Sequence, residues 1–207
     1  MQARGTAPAT STEIRMSRTL SPCTGHGTRK RAGTRNSGGE RTPAVIRLAV
    51  TGHLNLTDES HDLLRAALRE LIKKHASKGG LTGLSCIARG ADTLFAEEVL
   101  AAGGRLIVVL PSRDYRETQV RPADAPAFDR LLQAASEVHI MPYETAGPAA
   151  YSAANARLLE NADRLIAVWD GRPPDGQGGT ADAVENARAA GVAVDVVWPE
   201  GAAVVPG

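Results

Sequence analysis

Aromatic residues make up only 3% of this 207-residue chain, so its core has to be built from Ala, Val, Leu and Ile. Cysteine is almost as scarce. Cys23 sits in a polar stretch and Cys86 in an apolar one, a pattern that suggests neither a disulfide framework nor a cysteine-based metal site. The five histidines, His26, His53, His61, His75 and His139, lack ligand spacing of the HExxH kind, so no metal and no cofactor is called for. No apolar run approaches the roughly 20 residues of a membrane span, and no apolar signal-peptide core is present. Together these absences favour a reduced, cytoplasmic compartment and exclude a membrane partner.

Charge is nearly balanced overall but unevenly placed. Residues 1–43 hold eight Lys or Arg against two acidic residues, and residues 44–207 hold sixteen against twenty-one. The first segment is rich in Gly, Thr, Ser and Arg and has no apolar periodicity, which predicts a disordered basic tail. A solvated linker, a translation start at Met16 or later, and a nucleic-acid-binding arm all fit that composition. An Arg- and Ser-rich, acid-poor start can also resemble an organelle transit peptide, but no convincing amphipathic helix accompanies it.

From residue 44 onward, apolar strand and helix patterns alternate. Val45 to Val50 reads as a strand ending in Thr51-Gly52-His53. Thr57 is a candidate N-cap with Asp58 and Glu59 in the first turn behind it. Leu63, Leu64, Ala67, Leu68, Leu71 and Ile72 recur at helical spacing up to Gly79-Gly80. Leu81 to Ile87 is the second strand, Ala91 to Ala102 a helix, and Leu106 to Leu110 the third strand. Ser112 to Pro126 reads as a long polar loop, Ala127 to Ala135 as a short helix, and Val138 to Met141 as the fourth strand. Tyr151 to Ala162 reads as a helix, Leu165 to Val168 as the fifth strand, and the segment opened by Thr180 as a helix leading to a sixth strand near Val197. Such alternation implies an α/β protein: a single Rossmann-like three-layer domain, residues 44–199, with a parallel sheet of about six strands. The disordered tail precedes it, and residues 200–207 form a short C-terminal tail.

Ligands of such sheets bind at the carboxyl ends of the strands, and each motif of interest falls at one of these ends. Gly52 and His53 follow the first strand. The glycine can serve a tight turn or the approach of a phosphate, and His53 can donate to a phosphate or a ribose or be merely solvated. Arg89, Gly90 and Asp92 follow the second strand. Arg89 is placed to meet an anion, while Asp92 suits either a helix-dipole role or a sugar hydroxyl. Trp169 and Asp170 follow the fifth strand, where the indole can stack on a base or plug the core and the carboxylate can bind a sugar hydroxyl. The loop beyond carries Gly171, Gly176, Gly178 and Gly179 before Thr180 opens its helix. Gly178, Gly179 and Thr180 form the strongest signal, because a glycine-rich loop and a helix N-terminus together turn backbone N–H groups toward an anion. Arg113, Asp114, Tyr115 and Arg116, after the third strand, can either close over a ligand or stay solvated.

The segment from Gly83-Leu84-Ser85 to Arg89-Gly90-Ala91-Asp92 resembles the SGLARGID motif of the SLOG superfamily, the Rossmann-like group that includes the Smf/DprA DNA-processing proteins and the LOG-type phosphoribohydrolases. Ala102 to Leu110 resembles its AGGxTIAVL strand, Asn155 to Asp163 its helix before the fifth strand, and the closing GGTADAV its glycine-rich helix start. The resemblance covers essentially all of 44–197. It implies a nucleotide or nucleotide-derived ligand held between the first loop and the GGT loop.

The chain also departs from the pattern. LOG enzymes carry PGGxGTxxE with a catalytic glutamate. Here Asp175 replaces the proline and Ala183 stands three residues after Thr180. Asp182, one helical position away and so rotated by about 100°, is the nearest candidate catalytic carboxylate, with Glu185 beyond it. His53-Leu54 stands where many relatives carry Arg. These differences favour nucleotide binding in a sensor or regulatory role. A phosphoribohydrolase or N-glycosidic transferase acting on nucleoside monophosphates is the alternative reading. A DNA-binding recombination mediator is the third, and the acidic balance of 44–207 makes DNA an unlikely partner for the core. A homo-oligomer is left open.

Overall fold

In the computed structural model, which describes residues 45–76, 79–173 and 179–205, six strands form one parallel sheet. The first is β1 (Ile46–Gly52), followed by α1 (Asp58–His75), β2 (Leu81–Ser85), α2 (Ala91–Ala101) and β3 (Arg105–Leu110). A short α3 (Tyr115–Thr118) and α4 (Ala125–Ala134) lead to β4 (Glu137–Ile140), and α5 (Pro148–Glu160), β5 (Arg164–Val168), α6 (Thr180–Ala189) and β6 (Ala193–Val196) complete the order. The expected basic tail, 1–43, lies outside the described residues. No described helix is long and apolar enough to cross a membrane.

The strand order is β4-β3-β2-β1-β5-β6. The chain steps outward from β1 to β4, then returns to place β5 against the other side of β1, with Val50 opposite Ile166 and Gly52 opposite Val168. The loops after β1 and β5 therefore turn to opposite faces, which opens a crevice at that point.

Alternating side chains divide the core between the two faces. Leu48, Val50, Ile166 and Val168 pack with Leu64, Leu68 and Ile72 of α1 and with Leu94, Phe95 and Val99 of α2. On the opposite face, Ala49, Leu84, Ile107, Val109, Leu165 and Ala167 meet α5 and α6 through Ala154, Leu158, Val184 and Ala187. Small side chains on both helices of this second face suit a chain so poor in aromatics. A third cluster joins Leu106, Val108 and Leu110 to Tyr115, Phe128 and Leu131.

Helix starts follow local chemistry. Thr57 caps α1, its hydroxyl accepting from the Ser60 N–H, with Asp58 and Glu59 at the positive end and Lys73, Lys74 and His75 at the negative end. Leu63, expected on the apolar stripe, remains 39% exposed at its margin. Pro148 and Pro126 occupy the first turns of α5 and α4, where a missing N–H is harmless. Both helices consequently begin earlier than their apolar residues indicate. The polar segment read as one loop from Ser112 holds α3.

The segment read as a C-terminal tail runs back along the β1–α1 loop. Leu56 and Val204 form an antiparallel bridge, the Thr57 N–H donates to the Ala203 carbonyl and the Val205 N–H to the Asn55 carbonyl. Ser60 Oγ donates to the Ala203 carbonyl at 3.0 Å and accepts from its N–H at 2.8 Å.

One buried charge ties α1 to α2. The Glu98 side chain is 4% exposed, yet it accepts from Arg69 Nε at 2.8 Å and Arg65 Nη1 at 3.1 Å. Burial pushes its carboxyl upward, but the two guanidinium groups together outweigh that and hold it below the usual carboxylate value. This stabilisation is complete above the unfolded-chain value near pH 4.3 and is lost as pH falls through the lowered folded value. Glu98→Gln should therefore reduce the urea midpoint at pH 7, with the deficit shrinking below about pH 4. A deficit that persists undiminished in acid would mean that charge is not what Glu98 contributes.

Candidate functional site

Two strand ends and a helix start meet through the backbone of one residue. The His53 N–H donates to the Val168 carbonyl at the end of β5, and its carbonyl accepts from the Ala91 N–H at the start of α2, both at 3.2 Å. Two positions without side chains permit this. A Cβ on Gly52 would lie 2.5 Å from the Ala91 Cβ and 2.8 Å from the Val168 carbonyl oxygen. A Cβ on Gly90 would lie 2.6 Å from the His53 carbonyl oxygen, and Gly90 also has φ +79°. Of the two roles open to Gly52, close packing is the one its surroundings explain, and Gly90 shares it. Gly179 differs, because a Cβ there meets nothing among the described residues within 4 Å.

The turn from β2 into α2 is strained and strapped. Ile87 has φ +48°, a left-handed conformation costly for a β-branched residue. Its N–H donates to Ser85 Oγ at 2.9 Å, and Ser85 Oγ donates to Asp92 Oδ2 at 3.2 Å. Asp92 Oδ2 also accepts from the Cys86 N–H, and Thr93 Oγ1 donates to the Ala88 carbonyl at 2.8 Å. Burial pushes the Asp92 carboxyl up to about 7, against the pull of the Ser85 hydroxyl and the Ala88 and Cys86 amides. Burial also pushes the Cys86 thiol well up, with Asp92 adding to it, so the sulfur is a poor nucleophile.

Across the crevice, His53 Nε2 lies 3.1 Å from Asp170 Oδ1, and the Asp170 N–H lies 3.4 Å from the same nitrogen. Its protonation decides which of the two it serves. Burial raises the Asp170 carboxyl, but the Arg172 amide, His53 and the Arg172 guanidinium more than offset this and hold it low. Trp169 Nε1 donates to the Arg172 carbonyl, closing the loop on itself, and the indole packs against the core on the α5–α6 side. Trp198 sets its ring edge-on to His53 with centroids 5.3 Å apart.

All these ends open on one cleft of about 890 Å³. Gly52, His53, Arg89, Gly90, Asp92, Trp169, Asp170, Gly179 and Thr180 line it, residues selected from the sequence at three separate strand ends. Gly178 and Gly176 lie outside the described residues. Asp182 is in the first turn of α6 but is not part of the cleft wall. The Gly179 N-cap provides no side-chain hydrogen bond to α6.

Further lining residues come from places the motifs do not mark. Asn55 accepts a hydrogen bond from Arg89 Nη2, and Val204 and Val205 bring the C-terminal segment onto the wall. In the loop after β3, Tyr115 is buried and lines the cleft, whereas Arg113 pairs with Glu144 and Arg116 with Asp129, both away from it. Asp114 sets this arrangement by accepting from Ser112 Oγ and the Ala146 N–H. A tyrosine just past a strand end, in a chain with three tyrosines, was the available signal.

No protein-family model matches the chain, and no curated protein matches it. Among solved structures, DNA processing protein A from Streptococcus pneumoniae is similar with a TM-score of 0.55 at 17% identity, over 75% of this chain and 51% of that one. DNA processing protein A from Helicobacter pylori, described for its single-stranded DNA binding mode, gives 0.53 at 17% identity, over 75% of this chain and 66% of that one. The chain thus spans about half the length of the first and just under two thirds of the second. At these identities the likeness is one of fold, and that fold is the DprA-type Rossmannoid architecture expected of the SLOG resemblance.

Two outcomes test this geometry. Gly90→Ala should destabilise by more than about 3 kcal/mol, combining left-handed strain with a backbone collision, while Gly179→Ala should stay within about 0.5 kcal/mol. Urea unfolding separates the two, and equal effects would contradict the packing described. The second outcome concerns pH. The unfolded chain releases the Asp92 proton near pH 3.9, whereas the folded chain keeps it to about 7. Folding is therefore progressively disfavoured by this group as pH rises across that window, and no further above it. Asp92→Asn should gain on wild type between about pH 4 and 7 and then level off. A difference independent of pH would show an ordinary carboxylate.

Proposed function

We propose that this cleft binds a phosphorylated small molecule of nucleotide type and that the domain serves as a sensor or regulatory module. One observation carries the reading: nine residues chosen from the sequence for ligand chemistry, from three strand ends, line a single cleft at the sheet's switch point. The start of α6 is where the phosphate sits. Gly179 has open space above its Cα, Thr180 and Ala181 line the cleft beside it, and a helix N-terminus favours negative charge. Asp170 and His53 are the candidates for a ribose, and Trp169 for the base.

The charges on the wall favour one small anion over a nucleic-acid backbone. Arg65, Arg89 and Arg172 face Asp92, Glu97, Asp124 and Asp170, and two of the three arginines are engaged, Arg65 by Glu97 and Glu98 and Arg172 by Asp170. A single strand of DNA needs a continuous run of cations along its phosphates. The DNA reading keeps its support from the fold likeness and from the basic composition of residues 1–43.

Cleavage of an N-glycosidic bond is the second reading, and the cleft shifts its candidate residue. Such chemistry needs a carboxyl group near the anomeric carbon. Asp182 was the nearest candidate by register, but Asp92 and Asp170 line the cleft. Release of free base from nucleoside monophosphates, lost in Asp92→Asn or Asp170→Asn, would convert the sensor reading into an enzymatic one.

The binding test is calorimetry of the full chain with nucleoside mono-, di- and triphosphates, NAD and ADP-ribose. Gly179→Val places a branched side chain in the open space above the loop. It should abolish binding, at least a hundredfold in affinity, while the protein unfolds at nearly the wild-type midpoint. Unchanged affinity in that variant would refute the phosphate site, and failure of every nucleotide to bind wild type would refute the ligand class.

A further inference from the structure

One buried hydrogen-bond donor on the cleft wall has no acceptor among the described residues. Arg89 Nε is buried and makes no hydrogen bond among the described residues, although Nη2 of the same group donates to Asn55. Tyr115 is buried but for 7% of its surface. Both residues line the same cleft, one just past β2 and the other just past the neighbouring β3. A buried guanidinium N–H is ordinarily paired, because leaving one unmet forfeits its hydration without return.

Neither group is free to swing away in search of a partner. The Tyr115 ring is wedged among Ile87, Leu110, Phe128 and Leu131, with its centroid 6.2 Å from that of Phe128. Asn55 holds Arg89, and the Val205 N–H in turn holds the Asn55 carbonyl. Burial pushes the Tyr115 hydroxyl further above its ordinary value, so it stays a donor, and burial raises the Asp92 carboxyl to about 7, so it is neutral only well below that pH.

We infer that Arg89 and Tyr115 form a second oxyanion subsite in the cleft, distinct from the start of α6, and that the cleft selects a ligand with acidic groups at two separated positions. The inference rests on the reading of the cleft as a phosphate-ligand site. The separation follows from the sheet. β2 and β5 flank β1, so their ends stand about 10 Å apart, two strand spacings, and β3 lies one spacing further from β5. A single phosphate does not fill both ends, whereas a nucleoside carrying two phosphates, or a dinucleotide, has the length. A guanidinium N–H and a phenol on the wall of one cleft fit a phosphate or carboxylate oxygen, and a charge-assisted hydrogen bond of this kind is strong where water is excluded.

The test uses inorganic phosphate and the full chain labelled with 15N. The Arg89 Nε–H resonance is assigned by its loss in Arg89→Lys. Titration with phosphate at constant ionic strength and pH 7 should shift that resonance saturably. Tyr115→Phe keeps the ring that fills the core and removes only the hydroxyl, so it should raise the midpoint about tenfold with little change in stability. Thr180→Ala, at the other end, should leave the Arg89 midpoint unchanged. A resonance that does not respond, or a midpoint identical in Tyr115→Phe, overturns the subsite. Saturation by phosphate while no nucleotide binds would uphold the subsite and remove the nucleotide reading. A nucleotide that binds without moving Arg89 Nε–H would do the reverse.

Discussion

The contact on which the rest of the molecule depends is the close approach of the His53 backbone to β5 and α2. Its N–H and carbonyl are spent on Val168 and Ala91, and neither bond could form with a side chain at Gly52 or Gly90. That contact brings the end of β1, the end of β5 and the start of α2 within one residue's reach. Gly52, which read as a tight-turn or phosphate-approach position, thus acts with Gly90 one step earlier, by allowing this close packing.

Once this packing is fixed, polar groups become scarce in a particular way. Ser85, Asp92 and Thr93 are occupied in holding the left-handed Ile87 turn. Asp170 is shared among His53, the Arg172 amide and the Arg172 guanidinium. These groups shape the walls, and their partners are internal. Among the described residues one buried donor on the wall is left without an acceptor, the Arg89 Nε–H. A donor of that kind is complementary to an anionic oxygen.

Much of this was legible in the chain. The alternation of short apolar runs with amphipathic stretches marked all six strands, most plainly the inner ones, because a parallel strand buried on both faces is largely apolar. The Thr57 cap with its acidic first turn marked α1 correctly. The starts of α4 and α5 were set too late, since Pro126 and Pro148 were read as loop punctuation where they serve as first-turn residues. The strand order needed the three-dimensional structure, because nothing local to β5 says on which side of β1 it inserts. In the site, the strand-end positions of Arg89, Asp92 and Asp170 sufficed to select residues that share one cleft. Tyr115 was harder. Whether an aromatic in a polar loop turns inward depends on Phe128 and Leu131, which arrive from a later helix, and on Asp114 gripping the Ala146 amide.

The contrast between Asp92 and Asp182 shows how far register alone carries a functional assignment. By sequence, Asp182 sits one residue from the position where related enzymes hold their carboxylate, and proximity in the chain made it the natural candidate. On a helix, however, one residue is about 100° of rotation, and in the structure it is Ala181 and Thr180 that line the cleft while Asp182 does not. Asp92 is distant in sequence, but it enters the same cleft from α2, buried, with its carboxyl raised to about 7. A carboxyl group that exchanges its proton near neutral pH can donate it. If chemistry occurs in this cleft, the environment of Asp92 suits the role of general acid better than that of electrostatic stabiliser. The same carboxyl also holds the Ile87 turn together, however, so an enzyme that used it would have to move a proton without losing the strap that shapes the wall.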